Sequence, residues 1–163
     1  MYEISVAALA HSLGALSRIL TKAETHCAAH KIDPSVLTAS RLFPDMLPLT
    51  AQVMIACDNA KGCAARLAGV EIPSHPDTET TFPELQARIA KTQAFLATLS
   101  PDDLKGAETR MVTVRISGKD VGMSGAAYFA RSAMPNFYFH MATAYNILRH
   151  NGVSIGKGDF LGR

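Results

Sequence analysis

Apolar residues recur every three or four positions through four long segments of this 163-residue chain. That spacing places them on one face of an α-helix, which repeats about every 3.6 residues. The first stripe predicts helix one from about Ile4 to His30; its members are Val6, Leu9, Leu13, Leu16, Leu20, Ala23 and Cys27. Amphipathic helices bury their apolar faces against one another. The pattern therefore predicts an all-α fold, an up-down four-helix bundle that forms a single domain over residues 1–163.

Local signals predict where helices two and three begin. Helix two lies within RLFPDMLPLTAQVMIACDNAKGCAARLAG, with Asp45 as N-cap, Pro48 in the first turn and Gly69 as the C-terminal stop. Helix three opens at Thr81, where a glutamate three positions later, Glu84, completes the capping-box pattern. The polar, proline-containing stretch VEIPSHPDTETT between them is predicted to be a loop.

The apolar period changes between helices three and four. In MVTVRISGKDVG, apolar residues alternate with polar ones, which is typical of a strand, and Ser117-Gly118-Lys119-Asp120 turns the chain back. We therefore expect a small β-hairpin here. Helix four then runs from near Ser124 to about His150, and Pro135 should bend or interrupt it. The tail that follows, NGVSIGKGDFLGR, is predicted to be an extended, irregular end.

Composition narrows the classes of function. The chain is 48% apolar and 18% charged, which is typical of a globular protein with a large core. Its net charge of +2 and scattered basic residues predict no nucleic-acid surface. No uninterrupted apolar run reaches the ~18 residues of a membrane span, and the N-terminal stretch lacks the basic start of a signal peptide. Cys27, Cys57 and Cys63 form no C-x-x-C pair, which fits free thiols in a cytoplasmic protein.

Helix four carries the most conspicuous candidate site residue, His140. The segment FYFHMATAYNILRHNG places this histidine among apolar residues. His150 lies ten residues further on, roughly 15 Å along the helix, which is too far for both imidazoles to bind one ion. A metal site in a helical bundle uses a second ligand three or four positions away, and position 144 is alanine. Helix four therefore offers one imidazole rather than a chelate.

Two other groupings leave alternatives open. Asp58 lies three residues before Lys61, so the two side chains either pair on the surface, which we favour, or Asp58 points into a pocket of the bundle. His26 and His30 have the four-residue spacing that lets two imidazoles share a metal. No further ligand accompanies them, so a solvated helix end is the favoured interpretation.

Two segments carry a resemblance to a known family. RLFPDMLPLTAQVMIACDNAKGCAARLAG resembles the second helix of a bacterial family of unknown function, and FHMATAYNILRHNGVSIGKGDFLG resembles its C-terminal end. That family looks like a branch of the DinB/YfiT-like superfamily of four-helix-bundle metalloenzymes. The resemblance covers essentially the whole chain. It implies a homodimer.

The resemblance also implies a metal site. Superfamily members often hold a divalent metal with three histidines, one on helix two and two in an H-x-x-x-H motif on helix four. Other branches suggest metal-dependent thiol-transferase or hydrolase activity. Here His140 matches the first histidine of helix four, Ala144 replaces the second, and Gln52 falls near the helix-two position. Since amide and methyl groups do not replace imidazoles in a tight transition-metal site, we predict no tightly held metal and no cofactor.

Two hypotheses of function follow. The favoured one is a cytoplasmic, homodimeric accessory protein that binds a small molecule in the inherited cleft, with Gln52, Asp58, His140 and Tyr145 as lining residues. The alternative is an enzyme that uses His140 as general acid or base, or as the sole histidine of a weak metal site. The contacts of His140 separate them, because a general base needs a hydrogen-bonded partner that orients it.

Overall fold

The structure, a computed structural model, describes residues 1–163 and is mainly helical, with one two-stranded antiparallel hairpin. The four long helices are α1 (Ala8–His30), α3 (Leu49–Ala68), α4 (Phe82–Ala97) and α6 (Met134–His150). The three short ones are α2 (Pro34–Thr38), α5 (Gly125–Tyr128) and α7 (Lys157–Phe160). Between α4 and α6 lies the predicted hairpin, with strands β1 (Met111–Ile116) and β2 (Lys119–Ser124).

The apolar stripe of α1 lies in one continuous hydrophobic core. Its members are almost completely buried, including Val6 in the π-helical turn that precedes α1. The segment Glu3–His30 is the one helix that is long and apolar enough to cross a membrane by length and composition. Here its apolar face is covered by the other helices. Burial in a protein core therefore accounts for its hydropathy.

Side-chain hydrogen bonds give the relative directions of α1 and α4. Gln93 of α4 donates to the backbone carbonyl of Ala10, near the start of α1, at 3.2 Å. Further along α1, Ser17 donates to Gln86, which lies earlier in α4, at 2.7 Å. The residue number falls in α4 as it rises in α1, so these two helices are antiparallel.

The same reasoning applies to α3 and α6. Gln52 of α3 pairs with His140, and Asn59, two turns further on, pairs with Asn136, which lies earlier in α6. The two helices are therefore antiparallel neighbours. Both polar pairs lie on the side of α3 that faces α6, because seven residues make about two helical turns.

The alternating up-down order predicted for the long helices is wrong between α3 and α4. Thr50, in the first turn of α3, and Thr80, just before α4, line one depression of about 300 Å³. The N-terminal ends of both helices therefore lie together, and the helices run in the same direction. The connection, residues 69–81, has to return along α3. An extended chain of that length reaches about 43 Å, more than the roughly 30 Å of a 20-residue helix.

The predicted start of helix two is also corrected. α3 begins at Leu49 with Pro48 as its N-cap residue, and Asp45 lies in the turn before it. Proline disfavours a helical conformation for the residue before it, which is Leu47. The first amide of the helix, that of Leu49, donates to the carbonyl of Ser40 at 2.9 Å. The helix-three prediction is confirmed, since the capping box at the start of α4 is formed as expected.

Pro135 interrupts the predicted fourth helix. Ser124 caps α5 by accepting a hydrogen bond from the Ala127 amide. The chain then forms a π-helical turn, Phe129–Ala133, before α6 begins at Met134. Proline lacks an amide hydrogen and crowds the preceding turn, so the wider π-helical turn accommodates it.

Two irregular segments are shorter than predicted. In the hairpin only Ser117 and Gly118 form the turn, with positive φ angles of 49° and 79°, whereas Lys119 and Asp120 already belong to β2. The C-terminal tail is not wholly irregular, because it contains α7. The carboxylate of Asp159 in that helix accepts a hydrogen bond from the backbone amide of Gly156, the residue before the helix, and this bond caps the helix.

Candidate functional site

A hydrogen bond between α3 and α6 joins two of the predicted site residues, Gln52 and His140. The Oε1 atom of Gln52 lies 2.7 Å from the Nδ1 atom of His140. The side chains are 1% and 9% exposed, respectively. The Nε2 atom of Gln52 donates to the carbonyl of Leu47 at 3.1 Å, which orients the amide. The carboxamide therefore presents its oxygen to His140, and oxygen only accepts.

The fixed amide determines the protonation of the His140 ring. Because Gln52 Oε1 accepts, Nδ1 carries the proton, and in a neutral imidazole Nε2 then has a free lone pair. Nε2 has no hydrogen-bond partner in the chain. The buried polar side-chain atoms that lack a partner are His75 Nδ1 and Arg88 Nε, so Nε2 of His140 is not fully buried. Burial lowers the pKa of His140 from its ordinary value of 6.5. A neutral imidazole with an accessible acceptor nitrogen results.

Exposed apolar residues flank the hydrogen-bonded pair. The Phe139 ring lies edge-on to the His140 ring, with 5.2 Å between the centroids, and its side chain is 56% exposed. Leu47, whose carbonyl holds the Gln52 amide, is also an exposed apolar residue. Thr143 donates its hydroxyl to the Phe139 carbonyl at 2.7 Å, so that hydroxyl proton is engaged within α6. The pair can therefore accept a hydrogen bond beside exposed apolar groups.

The residues present do not fit the three-histidine metal centre that the resemblance implies. A metal ion bound to His140 would lie next to Nε2. The oxygen of Gln52 instead accepts the proton of Nδ1, so it is not directed at that ion. Ala144 is fully buried in the core and has no donor atom. No group of three His, Cys, Asp or Glu side chains is arranged to hold an ion. His140 alone provides an imidazole, and tight sites need three or four ligands.

Asp58 lies in a different environment from the Gln52–His140 pair. Its carboxylate is 2.8 Å from the ammonium of Lys61 and also 2.8 Å from the guanidinium of Arg88. The predicted pair with Lys61 therefore forms, but it is not a surface pair, because Lys61 is buried. Six residues separate Asp58 from Gln52, roughly 9 Å along α3. The structure therefore places Asp58 in an ion-pair cluster and not beside the imidazole.

Arg88 is the residue that sequence reasoning missed. Its side chain is fully buried and pairs with Asp58, Asp77 and Glu79, a group that we call the Arg88 cluster. It also donates to the carbonyl of Pro76 at 3.0 Å. These contacts fasten the connection 69–81 to α3 and α4. One feature of the sequence could have identified it: Arg88 is an arginine on the buried side of helix three, and the loop before that helix is acidic.

Tyr145 also lies apart from the imidazole. Five residues separate it from His140, which turns its side chain about 140° around α6. Its ring lies edge-on to Phe160 of α7, with 5.7 Å between centroids. The structure thus brings Gln52 and His140 together, whereas Asp58 and Tyr145 make contacts elsewhere.

The cysteines do not form a reactive site. All three are free and buried. Burial raises the pKa of Cys57 to about 12 and that of Cys63 to about 12. Thiols that stay protonated are poor nucleophiles and poor metal ligands.

Comparison with known proteins gives a family match and a similar solved structure. Residues 1–161 match the family described as Domain of unknown function (DUF1993). The chain is also similar to the crystal structure of a DinB family member protein from Shewanella denitrificans, with 42% sequence identity and a TM-score of 0.93. That match covers 99% of this chain and 92% of the other. No functionally curated protein matches the chain. The resemblance seen in the helix-two and C-terminal segments is confirmed.

Proposed function

From the premise that the chain belongs to the DUF1993 family and has a DinB-like fold, we propose that it binds a small molecule at the Gln52–His140 pair without a tightly held metal. The observation that carries the proposal is the 2.7 Å hydrogen bond from His140 Nδ1 to Gln52 Oε1. This bond orients the ring and leaves Nε2 as a defined acceptor. Small-molecule sites combine a few oriented polar groups with apolar surface. The five main depressions of the surface are lined by residues other than Gln52 and His140, so the ligand lies on the surface beside Phe139 and Leu47 rather than in a deep cleft.

The chemistry of the pair indicates the kind of ligand. A hydroxyl or N–H group of the ligand donates to His140 Nε2, which has no partner in the chain. The rest of the ligand contacts the exposed Phe139 and Leu47 side chains. We therefore propose a neutral molecule that carries one hydrogen-bond donor on an aromatic or aliphatic body.

Titration with phenol, followed by the NMR signals of the His140 ring, tests this proposal. Phenol combines a donor hydroxyl with an apolar ring, and we expect it to shift the Nε2 signal of His140 saturably. Toluene, which has the ring without the donor, is the matched control and should bind at least about tenfold more weakly, the effect of losing a hydrogen bond worth ~1.4 kcal/mol. Equal binding of both probes, or no shift at His140, contradicts the proposal.

A second candidate function is catalysis with His140 as general base. Sequence reasoning had no orienting partner for this histidine, and Gln52 fills that role in the structure. A neutral imidazole with its pKa lowered by burial accepts a proton from a substrate at neutral pH. The resemblance alone suggested metal-dependent reactions, and we base no step on them, because the ligand set does not fit a metal.

We further propose an organisation for the molecule, namely a four-helix bundle of α1, α3, α4 and α6 that forms one domain and a homodimer in the cytoplasm. Packing of the four helices around a single core supports the bundle. Three free, buried cysteines support a reducing compartment. Light scattering during size-exclusion chromatography tests the dimer, and a monomeric mass at micromolar concentration contradicts it.

A further inference from the structure

The largest depression on the surface lies between the hairpin and the start of α6, and the proposed function uses only Phe139 at its edge. Its volume of about 670 Å³ is within the range of small-molecule sites, about 300–1,000 Å³. We call it the hairpin groove. Arg115 and Ile116 of β1 border it on one side, and Arg131, Asn136 and Phe139 border it on the other.

The two arginines of the hairpin groove have no acidic partner. Neither Arg115 nor Arg131 takes part in any ion pair of the structure, unlike the buried Arg88. Asp120 lies directly across the hairpin from Arg115 in the strand register, yet the two side chains form no ion pair. One guanidinium therefore borders the groove from each side without a neutralising carboxylate. Such forks of donors match the two oxygens of a carboxylate.

Apolar side chains complete the hairpin groove. Phe139 is 56% exposed and Ile116 is 43% exposed, so both offer apolar surface to an occupant. The serine hydroxyls of Ser117 and Ser132 add neutral polar groups. Two cations beside apolar surface do not suit a polyanion, which needs a longer basic track. They suit a small molecule with one anionic end and an apolar body.

The local backbone positions two of the side chains that border the groove. Arg131 and Ser132 both lie in the π-helical turn Phe129–Ala133. In this chain the turn before Pro135 presents both side chains to the groove.

We propose that the hairpin groove binds a small amphipathic carboxylate. Its carboxylate group lies between the guanidinium groups of Arg115 and Arg131, and its apolar chain lies against Ile116 and Phe139. Phe139 borders both this groove and the Gln52–His140 pair. The carboxylate is held by two arginines that the first proposal does not use, so either proposal can fail while the other holds.

Isothermal titration with octanoate tests the chemistry of the ligand. Octanoate has a carboxylate and an apolar chain, octanol has the chain without the charge, and inorganic phosphate has charge without a chain. Octanoate binds saturably to the full chain. Octanol lacks the charged hydrogen bonds and phosphate lacks the apolar contacts, so each binds at least about tenfold more weakly. Equal binding of octanol, or of phosphate, overturns the proposal.

Variants locate the site. Arg115→Gln and Arg131→Gln each weaken octanoate binding about three- to fivefold, the effect of losing one exposed charge pair, and the double variant weakens it by about tenfold or more. Arg149→Gln is the matched control, because Arg149 is an exposed arginine near the other end of α6, and it leaves binding unchanged. Phe139→Ser weakens octanoate binding through loss of the apolar wall.

Spectra and melting curves keep the variant test decisive. Octanoate shifts the NMR signals of residues 115–117 and 131–139 in the wild type. The two single variants, the double variant and the control all melt within a few degrees of the wild type, since these arginine side chains are exposed. Unchanged octanoate affinity in the double variant overturns the site, and so do shifts confined to other parts of the chain.

Discussion

At the scale of single residues, Gln52 occupies the position where the resemblance implies a metal-binding histidine. Histidines that bind metals usually donate their second ring nitrogen to an oxygen that orients them. Gln52 provides such an oxygen to His140, although the rest of the ligand set is missing. The carboxamide therefore acts as an orienting group for the one remaining imidazole.

Replacing Gln52 with glutamate should raise the pKa of His140. A carboxylate at this position accepts the same Nδ1 proton and also stabilises the imidazolium by its charge. NMR titration of the His140 ring measures the change, and we expect a rise of about one unit or more for an opposite charge at this distance. Gln52→Met, which has no charge, is the matched control and should leave the pKa low. Equal pKa values in both variants contradict the arrangement.

The lowered pKa of His140 also predicts a pH dependence of stability. As pH falls below about 6.5, the unfolded chain takes up the His140 proton before the folded protein does. The free energy of unfolding therefore falls from that pH down to the folded-state pKa. In His140→Phe this contribution is absent, so thermal unfolding between pH 7 and pH 5 should depend less on pH than in the wild type.

His75 serves as an internal control for that comparison. Burial, followed by nearby positive charges, also lowers the pKa of His75, so this residue destabilises both proteins to the same extent in the same range. The difference between wild type and variant isolates His140. Parallel pH profiles of the two proteins are inconsistent with a buried, neutral His140.

At the scale of elements, the connection 69–81 depends on one side chain. Arg88→Met should destabilise the protein by about 2 kcal/mol, below the 3–5 kcal/mol of fully buried pairs because two of its three carboxylates are partly exposed. Urea unfolding measures the loss, and amide exchange in residues 70–80 should accelerate. Asp77→Asn, at a carboxylate that is 64% exposed, is the control and should change stability by less than about 0.5 kcal/mol. Similar losses in both variants contradict the role of the Arg88 cluster.

The junction of the hairpin and α5 depends on a glycine. A Cβ atom at Gly125 would overlap the carbonyl oxygen of Ala107, because the Gly125 amide is held against the Arg110 carbonyl at 2.8 Å. Gly125→Ala should therefore lower stability by about 2 kcal/mol, as overpacking does. Gly158→Ala is the control, since open space surrounds that position, and it should stay within about 0.5 kcal/mol. Equal melting temperatures would falsify the close approach.

Elements were predictable from the sequence where local patterns determine them. The α1 stripe, the capping box at Thr81 and the alternation in β1 depend on neighbouring residues, and each element forms where predicted. The first hydrogen bond of α3 was not predictable, since it joins Leu49 to Ser40, nine residues earlier. The direction of α4 was not predictable either, because a loop of 13 residues is long enough either to cross the end of the fold or to return along α3.

At the scale of the whole molecule, α3 and α6 form the antiparallel pair on which the candidate site depends. Gln52 and His140 are distant in sequence; His140 was a candidate from the pattern of its own helix, and Gln52 was a candidate only through the family resemblance. Their hydrogen bond could not be predicted, because it requires the register of α3 against α6. The orienting partner of His140 therefore emerges only in the folded molecule.

The central claim is that Gln52 holds His140 as a neutral, Nδ1-protonated imidazole that binds no tight metal. The most direct measurement is the ¹⁵N NMR spectrum of the His140 ring at pH 7, in protein purified without an affinity tag, before and after addition of EDTA. We expect a proton on Nδ1, a bare Nε2, and no change with EDTA. A proton on Nε2, a doubly protonated ring, or a spectrum that changes when EDTA is added would contradict the claim.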